Sequence, residues 1–146
     1  MSSPDFRWVF DTNAIISAVL FEQSVPGHAF YAALECGGIL QSQATAAELS
    51  EVLARKKFDR YLTREDRDLF LSMLLNEATI VEITVEIHAC RDPKDDKFLE
   101  LAISGQTSCL VSGDPDLLVL NPFRGIPILT PAQFLEWLAK EKSADT

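Results

Sequence analysis

Four carboxylates, Asp11, Glu48, Asp95 and Asp114, stand where an apolar run gives way to a helical pattern, a placement from which acids can hold cations and activate water. Asp11 follows Trp8-Val9-Phe10, which lacks polar alternation and so reads as a strand covered on both faces by helices. Such strands are usually parallel, and open parallel sheets bind ligands beyond the carboxyl ends of their strands. Asp114 likewise follows Cys109-Leu110-Val111-Ser112, inside Gly113-Asp114-Pro115-Asp116. Each acid also has a plain structural reading. Asp11 suits the N-cap of a helix beginning near Asn13. Thr45-Ala46-Ala47-Glu48 has the spacing of a capping box. Asp, Pro and Gly around position 114 favour a tight turn whatever their use. Four caps converging by accident on one sheet edge is the less economical account.

Carboxylates held close together raise one another's pKa, so a cluster of them implies bound cations. Oxygen-only ligands select hard ions, Mg²⁺ or Mn²⁺, whereas zinc usually recruits His or Cys. Two such ions about 3.5–4 Å apart activate a water and stabilise the leaving oxygen in phosphodiester hydrolysis. Thr12, Asn13 and Ser112 are placed to orient a carboxylate, a water or a phosphate. Asp95, Phe98, Leu99 and Ala102 share one helical face, which puts Asp95 in line with the buried stripe. Asp96 turns toward the side of Glu100, where a solvated or capping role suits it, and Asp92 belongs to the loop before Pro93.

The elements that must position these acids follow from apolar periodicity. A strand over 7–10 leads to a helix from Asn13 to Leu20. A second helix starts near Pro26 and stops at Gly37-Gly38, with Ala29, Phe30, Ala33 and Leu34 as its apolar stripe. Ile39-Leu40 opens a second strand, and a helix follows from Thr45. Thr63 opens another helix, whose face of Leu69, Phe70, Met73 and Leu74 reads as core. Thr79 to Val85 alternates as a strand, Cys109 to Ser112 forms the next and Ile126 to Leu129 the last. Pro131 starts a terminal helix. Alternation of five strands with helices predicts an α/β three-layer sandwich with a mostly parallel sheet. At 146 residues and 47% hydrophobic content, a single domain over 1–146 is expected, with 1–6 and 142–146 as loose tails.

A formal net charge of −9 excludes gripping nucleic acid through an overall positive field. It leaves room for a nuclease, because divalent cations supply local positive charge. The segment Arg55-Lys56-Lys57-Phe58-Asp59-Arg60, continuing to Arg64 and Arg67, is basic in an otherwise acidic chain. Its ordinary reading is a solvated helix face, and its functional one is contact with a phosphate backbone, Arg55, Lys56, Lys57 and Arg60 being the RNA-binding candidates. His28 has no second ligand at metal-binding spacing. Cys36, Cys90 and Cys109 read as reduced thiols in or near the core. No run approaches the length of a membrane span and the first residues lack the order of a secretion signal, so a cytoplasmic protein is expected.

Taken together, Val9-Phe10-Asp11-Thr12-Asn13, Glu48-Leu49 with Val52-Leu53, Asp92-Pro93-Lys94-Asp95-Asp96-Lys97-Phe98-Leu99-Glu100-Leu101-Ala102, and Val111-Ser112-Gly113-Asp114-Pro115-Asp116-Leu117-Leu118 resemble the PIN-domain family. The resemblance is closest to its prokaryotic branch of VapC-like toxins from toxin–antitoxin pairs, and it spans nearly the whole chain. It implies a metal-dependent ribonuclease with Asp11, Glu48, Asp95 and Asp114 as the acidic quartet. Asp96 stands beside Asp95 and Asp116 just beyond Asp114, and each is a second ligand candidate at its corner. The family's usual threonine before the last acid is Ser112 here, which keeps the hydroxyl. The resemblance also implies a cognate antitoxin, often dimeric and DNA-binding, and self-association as a homodimer or higher homo-oligomer. An alternative enzyme is a haloacid-dehalogenase-like phosphotransferase, whose chemistry normally wants a second acid where Asn13 stands. A third reading is a non-catalytic partner-binding module whose acids only cap helices.

Overall fold

Trp8 and Phe10 point to one side of the first strand and Val9 to the other, the period-two alternation of extended chain. That alternation divides the core in two. The computed structural model describes residues 6–144. Among them β1 (Arg7–Phe10) pairs with β2 (Gly38–Gln41) on one side and β4 (Cys109–Val111) on the other. The edges are β3 (Thr79–Ile80) beside β2 and β5 (Ile128–Leu129) beside β4, giving the order β3-β2-β1-β4-β5 with every pairing parallel. The register sets Phe10 against Val111, so β1 and β4 end level and Asp11 and Ser112 emerge side by side.

On the Trp8 and Phe10 face lie α1 (Thr12–Leu20), α2 (Val25–Cys36), α3 (Gln43–Leu53), α4 (Arg64–Glu77) and α7 (Pro131–Ala144). On the Val9 face lie α5 (Asp96–Ser104) and α6 (Pro115–Leu118). The expected three-layer α/β sandwich is therefore present. Aromatic packing anchors the first face, with Trp8 edge-on to Phe134 at 5.0 Å and Phe10 edge-on to Phe30 at 5.5 Å. The Trp8 indole N–H donates to the Ala33 carbonyl at 2.9 Å. This brings the tryptophan so close to the end of α2 that a Cβ on Gly37 would stand 2.8 Å from its nitrogen and 2.6 Å from the Phe6 carbonyl oxygen. Glycine at 37 answers that close approach, since its φ of −178° is ordinary extended backbone.

Several elements differ from expectation for identifiable reasons. The strand expected over 79–85 pairs only at Thr79–Ile80. Beyond it the chain stays extended, and Val81, Ile83, Val85 and Ile87 still turn inward. Val81 N–H still donates to the Gln41 carbonyl of β2 at 2.8 Å, but from Thr84 onward amides of the segment turn to α5. Thr84 N–H donates to Ser104 Oγ at 3.0 Å, Ile87 N–H to Glu100 Oε2 at 3.0 Å, and Ala89 and Cys90 N–H to Asp96 Oδ1 at 3.1 and 2.8 Å. Those three acceptors recur every four residues and form one helical row.

α3 starts earlier than expected, because Ser42 and Thr45 form a reciprocal capping box. The motif beginning at Thr45 therefore does not cap, and Glu48 sits in the second turn. On α4, Leu74 is buried, but Leu69 is 70% and Met73 42% exposed, so core packing does not account for the whole stripe. Phe6 stacks on Trp8 at 5.2 Å, and α7 continues through Lys142 to Ala144, so these residues are not loose tails. The rest of both expected tails lies outside the described residues. Among those described, no helix is long and apolar enough to cross a membrane.

Candidate active site

The level ends of β1 and β4 fix the first two acids. Asp11 is the N-cap of α1, its Oδ1 accepting from Ala14 N–H at 2.9 Å. Its Oδ2 accepts from the fully buried Ser112 hydroxyl, and the same hydroxyl oxygen accepts from Asp114 N–H at 2.9 Å. Ser112 thereby ties Asp11 to Asp114. Asp114 caps α6, its Oδ1 accepting from Asp116 N–H at 2.9 Å. Asp95 occupies the N-cap position of α5 and makes no capping bond there, which leaves its carboxylate to meet that of Asp114 within hydrogen-bonding reach.

Glu48 reaches the same place from the second turn of α3. Thr12 donates to its Oε1 at 2.6 Å, and the Lys97 ammonium pairs with Oε2. In the sequence Lys97 is only one residue of the motif over 92–102, with no role of its own. The helical period places it two residues beyond Asp95, but nothing local discloses a partner 49 positions away.

Asp11, Glu48, Asp95 and Asp114 all line one cleft of about 490 Å³. Asp92 joins them, its carboxylate also capping the short 3₁₀ turn Pro93–Asp95. Six carboxylates face the cleft against Arg55, Lys57 and Lys94, and Arg55 is paired with Glu51. Burial, with this imbalance added, registers in protonation. Burial pushes Asp11 up to about 6, despite its bonds from Ser112 and Ala14, with Asp114 and Glu48 adding repulsion. Asp95 is also raised to about 6, by burial first and then by Asp114, Asp92 and Asp11.

Asp96 and Asp116 stand elsewhere. Asp96 is buried against Ala89 and Cys90, and neither it nor Asp116 lines the cleft. Burial alone would raise the Asp96 pKa, but two backbone N–H donors outweigh it and hold the group below its ordinary value. Asp96 is thus neither solvated nor turned toward the other acids. Asn13 is exposed at the cleft margin, while Thr12 and Ser112 each orient an acid as described.

The basic segment separates into parts. Arg55 and Lys57 line the cleft, whereas Lys56 and Arg60 do not, and Arg60 lies over the Tyr61 ring at 5.4 Å. Arg67 is a correction to the basic surface. It is 1% exposed and donates to the Leu53 and Arg55 carbonyls at 2.7 and 2.9 Å, with Asp59 as its ion-pair partner. Its role is to clamp the turn that presents Arg55 and Lys57. His28 is exposed, and Cys36, Cys90 and Cys109 are free thiols, Cys109 buried.

A hard divalent cation suits this donor set by chemistry, because the acids carry only oxygen ligands and an excess of negative charge. Among the described residues, however, no three carboxylate, imidazole or thiol groups form a ready-made metal cage. The reason is visible in the partners: Glu48 is held by Lys97 and Thr12, and Asp11 by Ser112 and Ala14.

Residues 7–116 match the family model described as the PIN domain. No curated protein matches the chain. Among solved structures, the fold is similar to VapBC2 from Rickettsia felis bound to a DNA fragment from their promoter, with a TM-score of 0.58 at 12% identity over 86% of this chain and 98% of that one. It is also similar to PAE2754 from Pyrobaculum aerophilum, with a TM-score of 0.62 at 17% identity over 92% and 90% of the two chains.

Proposed function

The chain belongs to the PIN-domain family, and on that premise we propose that it is a ribonuclease hydrolysing RNA phosphodiester bonds with Mg²⁺ or Mn²⁺ at Asp11, Glu48, Asp95 and Asp114. The observation that carries this reading is the convergence of Asp11, Glu48, Asp95 and Asp114 on one cleft, where burial first and then mutual repulsion raise Asp11 and Asp95 to about 6. Helix capping does not explain it, since Asp95 makes no capping bond and Glu48 lies outside the first turn. Bound there, the cations would supply Lewis acidity and a nucleophilic water at neutral pH.

The protein's own groups do the rest. Arg55, Lys57 and Lys94 give the acidic cleft a cationic border suited to the RNA backbone. Ser112 keeps Asp11 and Asp114 in fixed relation, and Thr12 with Lys97 holds Glu48 from the opposite side. Phe58, Phe98 and Val52 form apolar wall between the charges.

The biological setting we propose is the toxin of a toxin–antitoxin pair, with a cognate antitoxin as partner and self-association of the nuclease. The likeness to VapBC2 supports it. Incubation of single-stranded RNA with wild type should give cleavage that needs Mg²⁺ or Mn²⁺, stops with chelator and is lost in Asp11→Asn. Equal cleavage by Asp11→Asn would remove the acids from the chemistry. Co-expression with the product of the neighbouring gene tests the partner: a complex that silences cleavage is expected, and free, active nuclease argues against the pairing.

A further inference from the structure

A second cavity, of about 540 Å³, adjoins the acidic cleft and shares Asn13 and Asp114 with it. Its walls are unlike those of its neighbour. Pro26, Pro115 and Pro131 come from the first turns of α2, α6 and α7, where a proline lacks the N–H that would otherwise face the space. Ala14 adds another apolar surface. Among the described residues no cation lines the cavity, and Asp114 at the shared boundary is the one charged group. A phosphate is therefore disfavoured here, whereas a flat uncharged ring is suited to it. Two polar side chains, the Asn13 amide and the Ser17 hydroxyl, also face the cavity and have no side-chain hydrogen-bond partner among the described residues. Together they offer donors and acceptors to the edge of such a ring. The volume falls in the usual range of small-ligand sites, about 300–1,000 Å³.

We propose that this cavity seats the unstacked base of the nucleotide adjoining the phosphate held at the acids. The proposal rests on reading the acidic cleft as a phosphodiester site, and it specifies the substrate class. A base that leaves its stack to enter a protein pocket does so at least cost in a single strand, so single-stranded RNA or a loop is selected over duplex. The prolines hold the face of the base, and Asn13 and Ser17 meet its edge. Continuity through Asn13 and Asp114 keeps base and phosphate within one nucleotide of each other.

The test is a binding measurement that needs no hydrolysis. Fully 2′-O-methylated RNA trinucleotides, with or without one abasic position, are titrated into the protein by calorimetry with Ca²⁺, a hard cation that offsets the charge of the acids, present throughout. Wild type should bind the intact trinucleotide about tenfold more tightly than the version abasic at one position, the scale of losing one seated base. Gly113→Phe fills the cavity from one wall, and a Cβ at 113 has no atom within 4 Å, so the fold has room for the change. Ser17→Leu fills it from the other. Both variants should bind intact and abasic trinucleotides alike, with thermal melting near that of wild type. An abasic position that costs wild type nothing, or a full preference surviving in both variants, overturns the proposal, the first result leaving the cavity to a protein side chain or to solvent. Should wild type cleave no RNA yet keep the base preference lost in both variants, the cavity stands and the hydrolytic reading fails.

Discussion

Asp95 and Asp96 are neighbours in the chain and belong to regions that treat a carboxylate in opposite ways. Asp96 lies in the seam between α5 and the extended segment 81–90, where two backbone N–H groups meet one of its oxygens and hold its pKa below the ordinary value. Asp95 lies in the cleft, where the nearest groups are other carboxylates and its pKa rises to about 6. Burial acts against the charge in both places. What differs is the supply of donors. The seam supplies backbone donors to its acid, whereas the cleft gathers six carboxylates against three lining cations and Lys97.

The largest expected effect separates the two regions by readout. Asp11→Asn and Asp114→Asn should lower RNA cleavage by about 10²–10⁴-fold, the usual scale for removing a group that takes part in the chemistry. Asp114→Asn should melt close to wild type and Asp11→Asn at or above it, because Asn caps helices as well as Asp and places no buried charge at position 11. Asp96→Ala should do the reverse. Leaving two partly buried amides without an acceptor costs about 1–2 kcal/mol, or roughly 2–8 °C in Tm for a chain of this size, with cleavage by the folded fraction unchanged. A stable but inactive Asp96→Ala would dissolve the distinction.

Next comes pH. Asp11, whose folded pKa of about 6 exceeds its ordinary 3.8, binds its proton more tightly when folded. Its contribution to stability is therefore greatest near pH 4 and falls as pH rises through about 6, by on the order of 2–3 kcal/mol in metal-free protein. Asp95 moves in the same direction with a smaller share, because solvent reaches it. Asp96 has the opposite sign, its stabilisation persisting above pH 3.8 and failing only in stronger acid. Chemical denaturation from pH 4 to 8 should show the fall, and Asp11→Asn should flatten much of it.

Divalent metal sharpens the same contrast. Addition of Mn²⁺ at 100 times its dissociation constant should stabilise the protein at pH 7.5 by about 2.7 kcal/mol, and far less at pH 4, where the acids are protonated. Asp96→Ala should keep that response and Asp114→Asn should lose most of it. Equal melting with and without metal at pH 7.5 would place the neutralising charge in the protein, with Lys97 the nearest source.

The smallest effect concerns the cationic border. Arg55→Ala and Lys57→Ala should each weaken RNA binding and reduce the slope of log K against log salt by about 0.7, the share of one contact to a single strand. Lys56→Ala and Arg60→Ala, which lie off the cleft, should leave the slope nearly unchanged.

The parallel sheet and the chain order of its acidic corners were legible in the sequence because they are written in local pattern. Trp8-Val9-Phe10 and Cys109-Leu110-Val111 read as covered strands, and each ends in a polar corner. The helical period separated Asp95 from Asp96 but did not tell which is buried: Asp96 is 7% exposed and joins the buried residues of α5, while Asp95 is its half-buried N-cap. Other features depended on contacts the period does not encode. Whether Thr45 opened or followed the capping box turned on Ser42 at the end of β2. Arg67 looked like part of a basic surface until the turn at 53–59 closed over it.

By itself, then, the amino-acid order determined the succession of strands and helices and set three of the four acids at their junctions, though not the extent of β3 or the start of α3, because backbone sterics and apolar periodicity act over a few residues. Tertiary structure alone decided which carboxylates meet donors and which meet one another. Lys97 reaches Glu48 across 49 positions and Ser112 reaches Asp11 across 101. A charge's environment is a sum over everything folded around it, and no short stretch of chain contains that sum.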